Sequence, residues 1–139
     1  DYFLILKPHP TEYDIEIYQE ILKKSSFDNA KIIQDDLFEL ISISSILVSV
    51  FSTTMIDALC FQKNSIQVIF DNVKWPILKD KSDVILISEL HDLSKNIINI
   101  FEDKNLRNML SKNRINFIKN HYNLPKNNPM TVITDIILR

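Results

Sequence analysis

Ile46-Leu47-Val48-Ser49-Val50-Phe51-Ser52-Thr53-Thr54 is the stretch from which the fold is read. Its first five residues are apolar except Ser49 and mostly β-branched, which reads as a strand central in a sheet. Three hydroxyl residues then open a segment running to about Phe61, which reads as a helix with a Ser/Thr start. Strand, short loop and helix in that order make half of a βαβ unit and imply a parallel sheet.

The same unit recurs on either side. Tyr2–Leu6 is a short apolar run stopped by Lys7-Pro8-His9-Pro10, because two prolines forbid continuation. Thr11 with Asp14 predicts a capping box, and the helix behind it sets Ile15, Tyr18, Ile21 and Leu22 on one face. Ala30–Ile33 predicts a second strand, and Asp36 with Glu39 a second helix start ahead of Leu40 and Ile41. Ser65–Phe70 and Val84–Ile87 predict strands four and five, around a polar loop Asp71–Asp83 that holds Trp75-Pro76. Ser88 is expected to cap a helix carrying Leu90, Leu93, Ile97 and Phe101. Leu106, Met109, Leu110, Phe117 and Ile118 mark the next helix, and Asn128-Pro129 opens a last one from Met130 to Leu138. The expected fold is α/β: a Rossmann-like three-layer sandwich with a mostly parallel five-stranded sheet and C-terminal helices. Residues 1–139 read as a single domain. The chain opens directly inside a strand, which reads as a piece of a longer protein.

Composition narrows the function classes. The 139 residues are 45% hydrophobic and 24% charged, ordinary globular values that exclude a disordered chain. A formal charge of -2 with interspersed signs disfavours a dedicated nucleic-acid binder. No apolar run reaches the ~18–20 residues of a bilayer span, and Asp1-Tyr2-Phe3-Leu4 lacks the basic start of a signal peptide. One cysteine, Cys60, permits no internal disulfide and fits a reducing compartment. Cys60 itself reads as a buried small hydrophobe. The chain has no glycine, against an average usage of about 7%. Glycine-dependent phosphate loops are thereby excluded. Left-handed turns must fall to other residues, with asparagine the expected substitute at Asn29, Asn64, Asn72 and Asn123.

Open α/β sheets bind ligands beyond the carboxyl ends of their strands, and two segments there have unusual chemistry. In Lys7-Pro8-His9-Pro10, the prolines hold His9 on a stiff loop, where its imidazole suits a phosphate contact or proton donation to a leaving group. The plain alternative is a surface histidine in a Pro-rich turn. Ser52, Thr53 and Thr54 offer hydroxyls at a helix start, where amides and the dipole favour an anion. Plain N-capping is the alternative there. Asp57, one turn further, could accept from vicinal ribose hydroxyls, or only complement the dipole. Lys7, Lys63 and Lys74 could add phosphate contacts. Asp35-Asp36 invites a phosphoacceptor reading, which fails because the third strand ends in Ser49-Val50-Phe51. His91, His121 and Cys60 have no metal-like spacing, so no metal cofactor is expected.

Taken together, Lys7-Pro8-His9-Pro10, then Ser52-Thr53, Asp57-Ala58-Leu59 and Ser65–Phe70 resemble motifs of bacterial surface-polysaccharide glycosyltransferases with the GT-B fold. The relatives in view are sialyl- and polysialyltransferases, capsule transferases and CDP-glycerol glycerophosphotransferases. The segment from Phe101-Glu102-Asp103 to Ile118 is similar to the closing helices of such domains. The resemblance implies the C-terminal donor-binding half of a cytoplasmic transferase, peripheral at the inner face of the plasma membrane. It implies that His9 contacts the donor phosphate or assists leaving-group departure, with Lys7 and Pro10 as further donor contacts. Ser52, Thr53 and Thr54 would hold phosphate oxygens, and Asp57 the ribose. The partners implied are a nucleotide-sugar substrate and an N-terminal acceptor domain missing from this chain, which would leave it inactive alone. The first strand of such a domain would lie before Asp1. Two departures stand out: Asp57 replaces the commoner Glu, and Gln62-Lys63-Asn64-Ser65 replaces Gly-Lys-Pro. Two other readings remain: a UDP-N-acetylglucosamine 2-epimerase-like domain, disfavoured by the missing Ser-Gly-Gly helix start, and a non-catalytic nucleotide-binding module.

Overall fold

Short aliphatic runs become strands, and every described strand pair is parallel. The computed structural model describes residues 2–12, 14–25, 27–70, 84 and 86–121. In chain order the elements are β1 (Leu4–Leu6), α1 (Glu16–Ser25), β2 (Ala30–Ile32), α2 (Leu37–Ile43), β3 (Ile46–Ser49), α3 (Thr54–Cys60), β4 (Asn64–Ile69), β5 (Leu86–Glu89), a 3-10 turn (Leu90–Asp92), α4 (Leu93–Glu102) and α5 (Lys104–His121). The result is a mixed α/β chain with five described helices and two small parallel sheets, of two and three strands. The expected five strands are all present, but the described pairing distributes them between two sheets. The chain divides into two compact units, Asp1–Ser42 and Ile43–Arg139.

In the first unit β1 pairs with β2, from Leu4 opposite Ala30 to Leu6 opposite Ile32. The Leu4 amide donates to the Asn29 carbonyl (2.8 Å) and the Ile33 amide to that of Leu6 (3.0 Å), extending the ladder at both ends. The Thr11/Asp14 capping box does not form. Helix α1 starts at Glu16, and the amides of Tyr18 and Gln19 go to the Ile15 carbonyl instead. Thr11 is engaged with His9, which removes the hydroxyl from capping. No α1 residue is fully buried, and Ile21, expected on the core face, is 55% exposed. Asp36 caps α2 as its position predicts: Oδ1 accepts from the amides of Phe38 (2.8 Å) and Glu39 (3.1 Å).

The second unit has strand order β3-β4-β5, with Val48 opposite Ile66 and Ile66 opposite Leu86. This corrects the expectation for Ile46–Val50. Among the described pairings β3 has β4 alone beside it, with Val48 42% exposed, and β4 is the centre, with Ser65 to Val68 all buried. Apolar composition marks a strand but does not rank it, because rank depends on which neighbours pair. Met55 and Leu59 from α3 meet Phe117 and Ile118 from α5 and Val84 in one buried cluster, with Leu47 packed against it. Ser88 also departs from its expected role. It lies in β5 and is buried, donating to the Glu89 carbonyl (2.8 Å) and accepting from Asn96 Nδ2 (2.9 Å). Asp103 caps α5 through Oδ1, which accepts from the amides of Asn105 (2.8 Å) and Leu106 (3.0 Å). Cys60 is exposed, correcting its reading as a core residue.

A chain without glycine still needs a left-handed residue where α3 stops. Gln62 takes that position at φ 59°, the only described residue with positive φ, so none of the described asparagines does. The Lys63 amide donates to the Ala58 carbonyl (2.8 Å) and the Gln62 amide to that of Leu59 (3.0 Å), the paired bonds of a Schellman stop. A left-handed conformation costs a side-chain-bearing residue about 1–2 kcal/mol, and glycine loses about 0.4–1 kcal/mol in the unfolded chain. Gln62→Gly is therefore expected to raise stability by about 0.5–1 kcal/mol in urea unfolding. A loss of stability would show that the Gln62 side chain makes a compensating contact.

The loop Asp71–Asp83 with Asn72, Lys74 and Trp75-Pro76, and Asn123 and the helix from Met130 to Leu138, lie outside the described residues. No described helix is long and apolar enough to cross a membrane.

Candidate functional site

Both segments singled out by their chemistry begin where a parallel strand ends. Lys7-Pro8-His9-Pro10 follows β1, and Val50-Phe51-Ser52-Thr53 follows β3. Each belongs to its own unit.

In the first segment Pro8 is buried, Lys7 is half-buried, and His9 and Pro10 are exposed. Residues 9–12 close a turn in which the Glu12 amide donates to the His9 carbonyl (2.9 Å). The Glu12 carboxylate answers by accepting from the His9 amide (3.0 Å), through the Oε2 that also accepts from the Tyr18 hydroxyl (2.6 Å). The imidazole turns to the other side of the loop. Its Nδ1 lies 2.7 Å from Thr11 Oγ1 and accepts from the Thr11 amide (3.3 Å). Prolines stiffen the entry to this loop, and Glu12 and Tyr18 clamp its exit onto α1. The bonds from Tyr18 and from the His9 amide hold the Glu12 carboxyl below its usual range, and the same bond pushes the Tyr18 phenol up. The clamp is complete above the ordinary carboxylate range and is lost as pH falls through the lowered Glu12 value.

In the second segment Ser52, Thr54 and Asp57 are half-buried and Thr53 is exposed. The Ser52 hydroxyl donates to Thr54 Oγ1 (2.7 Å) and accepts from the Thr54 amide (3.1 Å). The Met55 amide goes to the Ser52 carbonyl (3.2 Å) and the Ile56 amide to that of Thr53 (2.8 Å). Three amides expected to be open to a ligand thus already have acceptors within the chain. α3 is also short, at seven residues. What this start offers an anion is hydroxyl groups and the dipole rather than bare amides. Asp57 sits in the first turn, and no hydrogen bond or ion pair among the described residues engages its carboxylate.

Three contributors escaped the reading of the sequence. Glu12 and Tyr18 are six residues apart across the loop that precedes α1, a spacing no helix period selects. Gln67 is the third. It is 1% exposed, pairs in register with Ser49, and reaches one residue further to donate Nε2 to the Val50 carbonyl (3.0 Å). That bond ties the central strand to the loop ahead of Ser52. Its visible signal was a large polar residue inside the apolar run Ser65–Phe70. The Gln67 Oε1 and Ser65 Oγ atoms are buried without a partner among the described residues.

The remaining flagged residues stay apart. His91 lies on the exposed 3-10 turn between the carboxylates of Glu89 (3.4 Å) and Asp92 (3.3 Å). His121 closes α5, its ring stacked on Phe117 at 4.5 Å. Among the described residues no three His, Cys, Asp or Glu side chains gather as a metal site would require. Comparison with protein-family models finds no match, and comparison with curated proteins finds none either.

Proposed function

We propose that this chain is the donor-binding part of a glycosyltransferase of bacterial surface-polysaccharide synthesis, taking a nucleotide-activated sugar. The observation that carries the reading is that the His9 loop and the Ser52–Thr54 helix start both leave the carboxyl ends of parallel strands, where α/β sheets receive ligands. On this reading His9 meets the donor phosphate or its leaving group, with Lys7 and Pro10 beside it. Ser52, Thr53 and Thr54 meet phosphate oxygens, and Asp57 takes the ribose. The finer fold that goes with it is one mostly parallel five-stranded sheet in a Rossmann-like sandwich. The acceptor side of the reaction belongs to a further domain, so the chain alone binds without turning over. Such an enzyme works in the cytoplasm, peripheral at the inner membrane face.

The hydrogen bonds at the start of α3 favour a second reading. Ser52 and Thr54 satisfy each other in a local turn ahead of α3, and Thr53 at the N-cap makes no side-chain cap bond, as in a sheet domain that holds no nucleotide.

An isotope-edited NMR titration with CMP, CDP, UDP and GDP separates the two. The expected result is saturable shifts of the His9 amide and the Ser52–Asp57 amides with one of the four, which also names the base. Shifts in one segment alone would break the assignment of both to a single ligand. Silence with all four would overturn donor binding by this chain and leave the second reading.

A further inference from the structure

We propose that Thr11 fixes the proton of the neutral His9 imidazole on Nε2, so that the free edge of the ring donates a hydrogen bond and the ligand this loop takes is an oxyanion. A backbone amide can only donate. The Thr11 amide approaches His9 Nδ1 at 3.3 Å, so Nδ1 is the accepting nitrogen. The Thr11 hydroxyl, 2.7 Å from the same atom, must then donate to it as well. A neutral imidazole has one accepting and one donating nitrogen, so the proton sits on Nε2. No hydrogen bond among the described residues occupies Nε2, and His9 is exposed. The charged groups close to it in sequence are Lys7 and Glu12, and the Glu12 carboxylate is committed to the His9 amide and Tyr18.

The other two histidines show how particular this is. His121 Nδ1 lies 3.1 Å from the Phe117 carbonyl, which can only accept, so its proton sits on Nδ1 and its free edge is bare. His91 has both ring nitrogens beside its own neighbours' carboxylates. His9 alone turns an N–H outward on a loop stiffened by prolines. In that state it cannot abstract a proton or ligate a metal through Nε2, since both need a bare nitrogen. It can donate to a phosphate or pyrophosphate oxygen. Thr11 acts through His9 and is a positioning residue. The tautomer stands on the loop's own hydrogen bonds; that the oxyanion belongs to a nucleotide rests on the function proposed above.

Long-range 1H–15N correlation of the labelled full chain tests it, at about pH 8.5, about two units above the ordinary histidine value. The expected pattern is a protonated Nε2 and a bare Nδ1 for His9, with the reverse for His121 as an internal reference. Thr11→Ser should keep the His9 pattern. Thr11→Ala should lose part of it, its two nitrogen shifts moving toward each other, with the amide spectrum elsewhere unchanged. Added pyrophosphate should move His9 Nε2 saturably in the wild type, and several-fold more weakly in Thr11→Ala. A His9 proton on Nδ1, or a Thr11→Ala ring identical to wild type, overturns the role of Thr11. No response to pyrophosphate overturns the oxyanion ligand. The wild-type tautomer can hold while every nucleotide fails to bind, so this proposal and the donor reading fail separately.

Discussion

Replacing Leu59 by alanine is expected to remove about 2–5 kcal/mol of folding free energy from the second unit. Leu59 is fully buried and packs in the cluster of Met55, Val84, Phe117 and Ile118. It joins α3 to α5, elements that neither strand pairing nor backbone hydrogen bonding connects. Truncation removes the transfer energy of three carbons and leaves a cavity that the Met55 and Phe117 side chains can only partly fill. Native domains hold on the order of 5–15 kcal/mol in total, so this single change takes a large fraction. Urea unfolding followed by far-UV circular dichroism gives the number, and the thermal midpoint should fall by on the order of 10 °C or more. Phe61→Ala, two residues on and 39% exposed, is the control and should cost much less. Equal losses for the two variants would mean that the cluster is not the core of this unit.

Arg114 should give the second large effect, with opposite outcomes for two replacements. It is 4% exposed on α5, and its Nη1 donates to Asn64 Oδ1 at 2.8 Å. Its Nε is buried without a partner among the described residues. Burial pushes the guanidinium pKa down, and because arginine side chains stay protonated in proteins a charge is kept in the interior. Arg114→Met retains most of the aliphatic stem and removes that charge. It should be at least as stable as wild type, by up to about 1–3 kcal/mol. Arg114→Ala loses the stem as well and should be less stable by about 2–4 kcal/mol, as other large-to-small core changes are. Denaturant midpoints of the two variants give the comparison. If Arg114→Met falls as far as Arg114→Ala, the guanidinium contributes a net attraction and its buried charge is compensated.

Much of the architecture is legible in local pattern. Five apolar runs became five strands within one to two residues of their expected ends, because period and β-branching act on neighbours in the chain. Asp36 announced its helix for the same reason: a cap reaches only two or three residues. Ser88 shows the limit. A serine before an apolar run fits a cap, but pairing of Val68 with Ser88 drew it into β5, and Asn96 satisfied its hydroxyl from α4. Gln62 shows it again. Asparagine has the better intrinsic tolerance of the left-handed region, but the residue that takes it is the one standing where α3 stops.

The chemistry-bearing residues divide along the same line. Composition, the absence of glycine, the two prolines around His9 and the hydroxyl run at Ser52 could all be read from the chain, because each is a property of adjacent residues. Folding alone decided that Glu12 clamps the His9 loop through Tyr18, that Gln67 reaches the Val50 carbonyl, and that Arg114 is buried. Each of these depends on register or on the angle of one element against another. Such contacts link positions 6 to 50 residues apart, and no local periodicity encodes the direction in which a polar side chain will find its partner.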